Sequence, residues 1–342
     1  METRPEVSVV IPTRDRWTTL VARALPSALG QRDVTIEILV VEDGSRGRPH
    51  GGAQLLAARG VRVIAHDASR GLAAARNVGI WSAAAPWVAF LDDDDLWSPD
   101  KLRSQLDLAQ STNAGLVYSP ALYVNEAGEI VECAPAPAPE NLVTALLAGE
   151  AIPAGGSNVL VRTDVVRRAG GFDERYVHLG DFECWVRVGR VCNAARVSEP
   201  LVAYVQHPRA MHLSEARRVL SDARRLHASY SVEYARSSVR FDADAFLAWV
   251  AHQHRLLGNP RRAAGVYLLT GLRHRKPQHL LRAAVFAFAG QRFDSLRRRL
   301  RRSLHRQALS SGRESGPQPR SHTGSPEAPA WLKAYLPLEP VR

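Results

Sequence analysis

Short β-branched runs alternate with segments of helical spacing through the first 90 residues. Residues 7–11 (VSVVI) are almost continuously apolar, the pattern of a strand covered on both faces. Pro12 and Thr13 close that run, and residues 18–29 read as a helix. Residues 36–41 (IEILVV) give a second strand, closed by Glu42, Asp43, Gly44 and Ser45. A helix-like stretch, 53–59, leads to a third strand, 61–65 (VRVIA). Residues 71–82 are helical in composition, and 87–91 (WVAFL) give a fourth strand. This rhythm predicts right-handed βαβ units, hence an α/β fold with a mostly parallel central sheet flanked by helices. Ligands of such sheets lie beyond the carboxyl ends of the strands. Pro12-Thr13-Arg14, Glu42-Asp43-Gly44 and the run Asp92-Asp93-Asp94-Asp95 all fall there.

Further along, Ser98-Pro99-Asp100 has the make-up of a helix start, with Ser98 to cap, Pro99 at the first position and Asp100 to complement the dipole. Leu102, Leu106 and Ala109 then recur at helical spacing. Residues 133–140 (CAPAPAPE) form a stiff proline-rich excursion, 158–161 read as another strand and 165–169 as a short helix. Beyond residue 205 the pattern is helical and arginine-rich, and residues 310–330 have a Ser/Gly/Pro-rich composition typical of disorder. The expected division is an α/β domain over 1–205, a basic helical extension over 206–306 and a disordered tail over 307–342.

With 342 residues, 45% hydrophobic and 23% charged, the chain is long enough for one large domain or two ordinary ones. No apolar stretch approaches the ~18 residues of a spanning helix, and the first residues lack the charged-then-apolar pattern of a leader. Three cysteines (Cys133, Cys184, Cys192) exclude a disulfide framework, so a cytoplasmic protein is expected. Charge divides the chain: residues 1–204 hold 20 Lys+Arg against 25 Asp+Glu, whereas residues 205–342 hold 25 against 9. An acidic body and a basic segment facing something anionic would account for that asymmetry.

Candidate chemistry concentrates at the strand ends. Four consecutive carboxylates, Asp92 to Asp95, repel one another. A hard divalent cation, Mg²⁺ or Mn²⁺, would relieve that repulsion, and so would solvation in an acidic turn before a helix. A cation held by few carboxylates completes its shell with phosphates and water, which points to a nucleotide. Glu42-Asp43-Gly44-Ser45 is either a plain turn or a carboxylate presented to a nucleobase or ribose. Arg70 and Arg76 are either surface charges or phosphate contacts. His207 and His178 read as packing or surface histidines, with an approach of His207 to a diphosphate as the alternative.

VSVVIPTRDR (7–16), VVEDGS (40–45), RGLAAARNVGI (70–80) and VAFLDDDDLWSPDKL (88–102) follow one another in order, and GGFDERYVHLGDFECWVRV (170–188) follows later. Together they closely resemble the family 2 glycosyltransferases, inverting enzymes of the GT-A fold, over about residues 5–205. The resemblance implies a nucleoside-diphosphate sugar as donor and Mn²⁺ or Mg²⁺ as cofactor. It implies nucleotide contacts at Thr13, Arg14, Asp43, Arg76, Asp92 and Asp93, metal ligands at Asp92 and Asp94, and a general base at Asp181, with Glu183 as fallback. Two positions depart from the family pattern: Glu42 replaces a more usual aspartate, and Gly180 stands where glutamate is common.

The resulting expectation is a sugar transfer to an acceptor hydroxyl on a glycan, a lipid-linked saccharide or a small molecule, in polysaccharide, glycolipid or other glycoconjugate biosynthesis. The basic half suggests peripheral association with the inner face of a membrane, the alternative being a solvated arginine-rich helical domain. No nucleic-acid partner is expected, because no binding motif or aromatic platform accompanies the charge. Rival readings are a nucleotidyltransferase, which would need a glycine-rich phosphate loop absent from Pro12 to Arg16, and a non-catalytic sugar-nucleotide or glycan-binding partner of a surface-polymer assembly.

Overall fold

The computed structural model describes residues 4–46, 52–207, 216–236, 239–256, 259–275, 277–288 and 328–335. The chain divides into two compact units, one of residues 1–206, 221–241 and 327–342, the other of residues 207–220 and 242–326. The arginine run 297–302 lies outside the described residues.

The first unit is built on eleven described strands: β1 (Val7–Thr13), β2 (Ile36–Asp43), β3 (Val61–His66), β4 (Trp87–Phe90), β5 (Leu96–Trp97), β6 (Leu116–Tyr118), β7 (Ala121–Asn125), β8 (Ile130–Ala134), β9 (Leu160–Arg162), β10 (Ala194–Arg196) and β11 (Val202–Gln206). Seven form the central sheet in the order β10-β6-β9-β4-β1-β2-β3. β1 is parallel to both β2 and β4, β2 to β3, and β6 to β10, and only β9 runs against its neighbours. All seven residues of β1 are buried, as the continuous apolar run predicts for a strand covered on both faces. The helix Leu72–Ser82 lies directly on β1: a Cβ at Gly79 would stand 2.2 Å from Val10 Cγ1. Only glycine permits that approach, which also fixes Arg76 one turn earlier on the same helix.

Local chemistry corrects several sequence expectations. The helix expected over 18–29 is two helices, Trp17–Ala22 and Ala24–Leu29, broken at the non-helical Arg23. Pro26 has no N–H and would collide with the carbonyl four residues back in one continuous helix, so the second helix begins just before it. Ser98 does not cap the helix Lys101–Thr112, which is preceded by Asp100 without a side-chain cap. Gln31 Oε1 accepts from Leu102 N–H instead, at 3.0 Å. A second sheet, β5-β11-β7-β8, begins immediately after the aspartates, and β8 takes up the start of the proline-rich excursion.

Residues 221–241 pack within this first unit, although the charge pattern groups them with the basic extension. Tyr234 is buried and its hydroxyl donates to Leu147 O at 2.9 Å. The expectation of a disordered tail fails for residues 328–335, because the helix Ala330–Lys333 seats Leu332 fully buried against Leu96, Leu122 and Ala203. The second unit contains the helices Ala243–Leu256, Pro260–His274 and Pro277–Phe288 around Leu247, Val250, Ala251, Ala264, Tyr267 and Phe286. Among the described residues no helix is long and apolar enough to cross a membrane.

Candidate active site at the carboxyl edge of the sheet

Parallel alignment of β1, β2, β3 and β4 brings Thr13, Asp43, His66 and the aspartate run to one edge of the sheet. The first carboxylate there is committed to the end of β3 and the loop that follows it. Asp43 Oδ1 accepts from His66 Nδ1 (2.8 Å) and Arg70 N–H (2.7 Å), and Oδ2 from Ser69 Oγ (2.7 Å) and Gly71 N–H (2.9 Å). A carboxylate offers about four acceptor positions, and all are filled. Burial opposes its ionisation, but the bonds from Arg70, His66, Ser69 and Gly71 prevail and hold its pKa at about 2. Asp43 therefore folds the loop that launches the helix Leu72–Ser82. His66 Nε2 is buried and has no hydrogen-bond partner among the described residues.

The aspartate run is organised differently. Thr13 Oγ1 donates to Asp93 Oδ2 at 2.7 Å, and the Arg16 guanidinium pairs with Asp93 at 2.8 Å and with Asp94. Arg76, almost wholly buried, spans Asp92 Oδ1 at 2.8 Å and Asp181 Oδ1 at 2.5 Å, with its carbon 5.2 Å from the centre of the Phe172 ring. Asp95 turns inward, accepting from Ser157 Oγ at 2.6 Å and Val205 N–H at 3.1 Å. Burial, then the neighbouring Asp94, pushes Asp93 up to about 8 against the pull of Arg16. Burial also raises Asp92, despite Arg76. Three guanidiniums, Arg16, Arg76 and the buried Arg23 acting on Asp94 and Asp95, face five carboxylates, Asp92 to Asp95 and Asp181, so negative charge is in excess.

Asp181 lies in the first turn of the helix Gly180–Gly189. Its second oxygen accepts from Gly156 N–H at 3.0 Å. That contact requires two glycines: a Cβ on Gly155 would stand 2.4 Å from Asp181 Oδ2, and one on Gly156 2.7 Å from an Arg76 nitrogen. Ser157, next in sequence, donates to Asp95 and accepts from Asp92 N–H, joining the aspartate turn to the Asp181 cradle. Upstream of the helix, buried Asp222 Oδ2 accepts from the backbone N–H groups of Val177, His178 and Leu179 at 2.7–3.2 Å. Glu183, the fallback base, is buried and bonded to Arg187 at 2.6 Å and to the Tyr230 hydroxyl at 3.1 Å. The side chains of Asp181 and Asp92 keep about a quarter of their surface open, 26% and 28%.

The structure thus brings Thr13, Arg76, Asp92, Asp93, Asp94 and Asp181 into one connected cluster. Asp43 shares the edge but faces its own loop, and the Arg14 side chain is exposed at the rim, 3.9 Å from Asp15. Arg76 contacts carboxylates rather than standing free for phosphate. Sequence reasoning missed Arg16, Gly155, Gly156, Ser157, Asp95's inward turn and Asp222. The signal that could have found the cradle is the Gly155-Gly156-Ser157-Asn158 run ahead of β9, where consecutive small residues mark a close backbone approach. Among the described residues no three ligating side chains converge on a metal position. The donor set nevertheless suits a hard divalent cation, whose shell phosphate and water would complete: carboxylate oxygens are in excess of their arginines, and Asp92 and Asp181 are partly open.

Residues 8–142 match the family description Glycosyl transferase family 2. Succinoglycan biosynthesis protein ExoO of Rhizobium meliloti (strain 1021) is 39% identical over 110 residues, 32% of this chain and 31% of ExoO. The UDP-Glc:alpha-D-GlcNAc-diphosphoundecaprenol beta-1,3-glucosyltransferase WfgD of Escherichia coli is 28% identical over 112 residues, 33% of this chain and 44% of WfgD. The chain therefore spans less than half the length of each of these relatives. Among solved structures, mannosyltransferase PcManGT from Pyrobaculum calidifontis, in complex with GDP-Man and Mn²⁺, superposes with a TM-score of 0.52 at 18% identity, covering 84% of this chain and 81% of that one. Residues 8–142 of this chain are thus similar in sequence to glycosyl transferase family 2, and the chain shares the GT-A fold of its structural neighbours.

Proposed function

We propose that the chain is an inverting glycosyltransferase, moving one sugar from a nucleoside-diphosphate donor to an acceptor hydroxyl. The observation that carries this reading is the buried Arg76, one arm on Asp92 and the other on Asp181. Transfer with inversion is a single in-line displacement. The acceptor oxygen bonds to the anomeric carbon as the bond to the diphosphate breaks, and the hydroxyl proton passes to a carboxylate. Asp181 is the proposed base: Arg76 and Gly156 N–H fix its orientation and its side chain reaches solvent. Asp92 and Asp94 would hold a divalent cation, which when bound supplies positive charge to the departing diphosphate. Arg16 adds fixed positive charge to the same side, and Thr13 orients Asp93. A nucleoside-diphosphate sugar is bound in the PcManGT structure and named for WfgD, which supports that donor class here. WfgD's name likewise supports a lipid-linked saccharide as the acceptor class.

The deciding experiment is calorimetry with UDP, GDP, dTDP and CDP, with and without Mn²⁺, on wild type and Asp94→Ala. Metal-dependent binding of one nucleotide, weakened about 10–100-fold in the variant, is expected. Absence of binding to all four would overturn the reading.

A further inference from the structure

From the second unit alone we infer a docking surface for anionic phospholipid. Between residues 246 and 288 the chain contains seven Lys+Arg and no carboxylate. The helix Pro260–His274 uses one arc for packing: Ala264 and Tyr267 are buried, and a Cβ on Gly271 would stand 2.6 Å from Leu280 Cδ2. Its other arc presents Leu268 and Leu272, 47% and 65% exposed and one turn apart. Arg261 lies two turns before Leu268 and Arg275 just under one turn after Leu272, both exposed. At 3.6 residues per turn Arg261, Leu268 and Leu272 fall on a single strip, and Arg275 is the left-handed residue that ends the helix just beyond it. The following helix, Pro277–Phe288, buries Ala283 and Phe286 and leaves Leu281 67% exposed beside exposed Arg282.

Among the described residues, none of these leucines belongs to the core of the unit. Leucine flanked by arginine with no acidic residue suits the boundary between headgroups and acyl chains, where the leucine enters hydrocarbon and the guanidinium meets phosphate. A nucleic-acid surface would use the cations and leave the leucines idle. The inference stands apart from the nucleotide site. It deepens the proposed function in one respect, by naming the surface on which a lipid-linked acceptor would be met, and to that extent rests on that reading.

The test is co-sedimentation of the full chain with vesicles of phosphatidylcholine, with and without phosphatidylglycerol, at low and high salt. Wild type is expected to pellet with the anionic vesicles and less so at high salt. Leu268→Ser/Leu272→Ser/Leu281→Ser is expected to lower partitioning about ten-fold, with unchanged far-UV circular dichroism. Arg261→Gln/Arg275→Gln should weaken binding and flatten its salt dependence. Failure of wild type to bind anionic vesicles overturns the inference, as does wild-type binding by the serine variant or salt-sensitive capture of an oligonucleotide in place of vesicles. Nucleotide calorimetry on the same preparations keeps the two readings apart. Vesicle binding without nucleotide binding removes the enzymatic reading alone, and the converse removes this one alone.

Discussion

Asp43 at the end of β2 and Asp93 just beyond β4 flank β1 at the same edge of one sheet, yet their surroundings drive them in opposite directions. Asp43 is met on every side by hydrogen-bond donors and its pKa is held at about 2. Asp93 is buried among other carboxylates, with an arginine shared between two of them, and is pushed up to about 8. The first arrangement is complete in itself and serves the fold. The second carries more negative charge than its partners balance, the condition under which a cation or a substrate has something to offer. Identical side chains at the same edge are thereby separated into a structural and a chemical class.

The sharpest way to break that comparison is to neutralise the chemical class at its proposed base. Asp181→Asn should reduce transfer by about 10²–10⁴-fold while leaving nucleotide affinity close to wild type. Full activity of that variant in an initial-rate assay would remove Asp181 from the base role. Asp94→Ala should weaken Mn²⁺-dependent nucleotide binding by about 10–100-fold, read by calorimetry. On the structural side, Asp43→Asn should cost about 2 kcal/mol of stability in urea unfolding at neutral pH.

The sign for Asp43 follows from its depressed pKa. Its contribution is present above the ordinary carboxylate range and disappears as pH falls from about 4 to about 2. Wild type should therefore lose stability across that window more steeply than Asp43→Asn. Asp93 predicts the reverse. The raised folded-state pKa means that the unfolded chain ionises first, so stability without divalent cation should fall as pH rises from about 4 to about 8. Thermal melts of Asp93→Asn should show a flatter slope over that range. The smallest effect is expected at Gly180, where a Cβ would meet Tyr176 Cβ at an ordinary 3.7 Å. Gly180→Glu should change stability by only about 0.5 kcal/mol, since an acidic residue in a helix's first turn is tolerated.

The parallel strands were legible because residues 7–11, 36–41 and 87–91 are apolar at nearly every position, a pattern typical of strands covered on both faces. The shortest strands were not, since β5 of the second sheet has two residues and β6 of the central sheet three, too few to establish a period. In the site, the motif positions Thr13, Asp92, Asp93, Asp94 and Asp181 converge as a cluster. What no local pattern reveals is how a carboxylate is spent. Asp43 and the aspartate run each read in sequence as either a turn or a ligand contact, and long-range partners such as Ser69 and Arg16 show how each is spent. Asp222 was hidden for the same reason, acting on backbone some 44 residues away.

Arg76 has a thermodynamic consequence. One guanidinium that serves Asp92 and Asp181 makes their energies inseparable. Removing either carboxylate leaves half of a buried charge without its counterpart and changes what the other one feels. The Asp92→Asn and Asp181→Asn penalties should therefore not sum, and the closed cycle of single and double variants should show a coupling free energy of about 0.5–3 kcal/mol. That cycle would vanish on an Arg76→Met background, where the two acidic groups become ordinary neighbours across a gap.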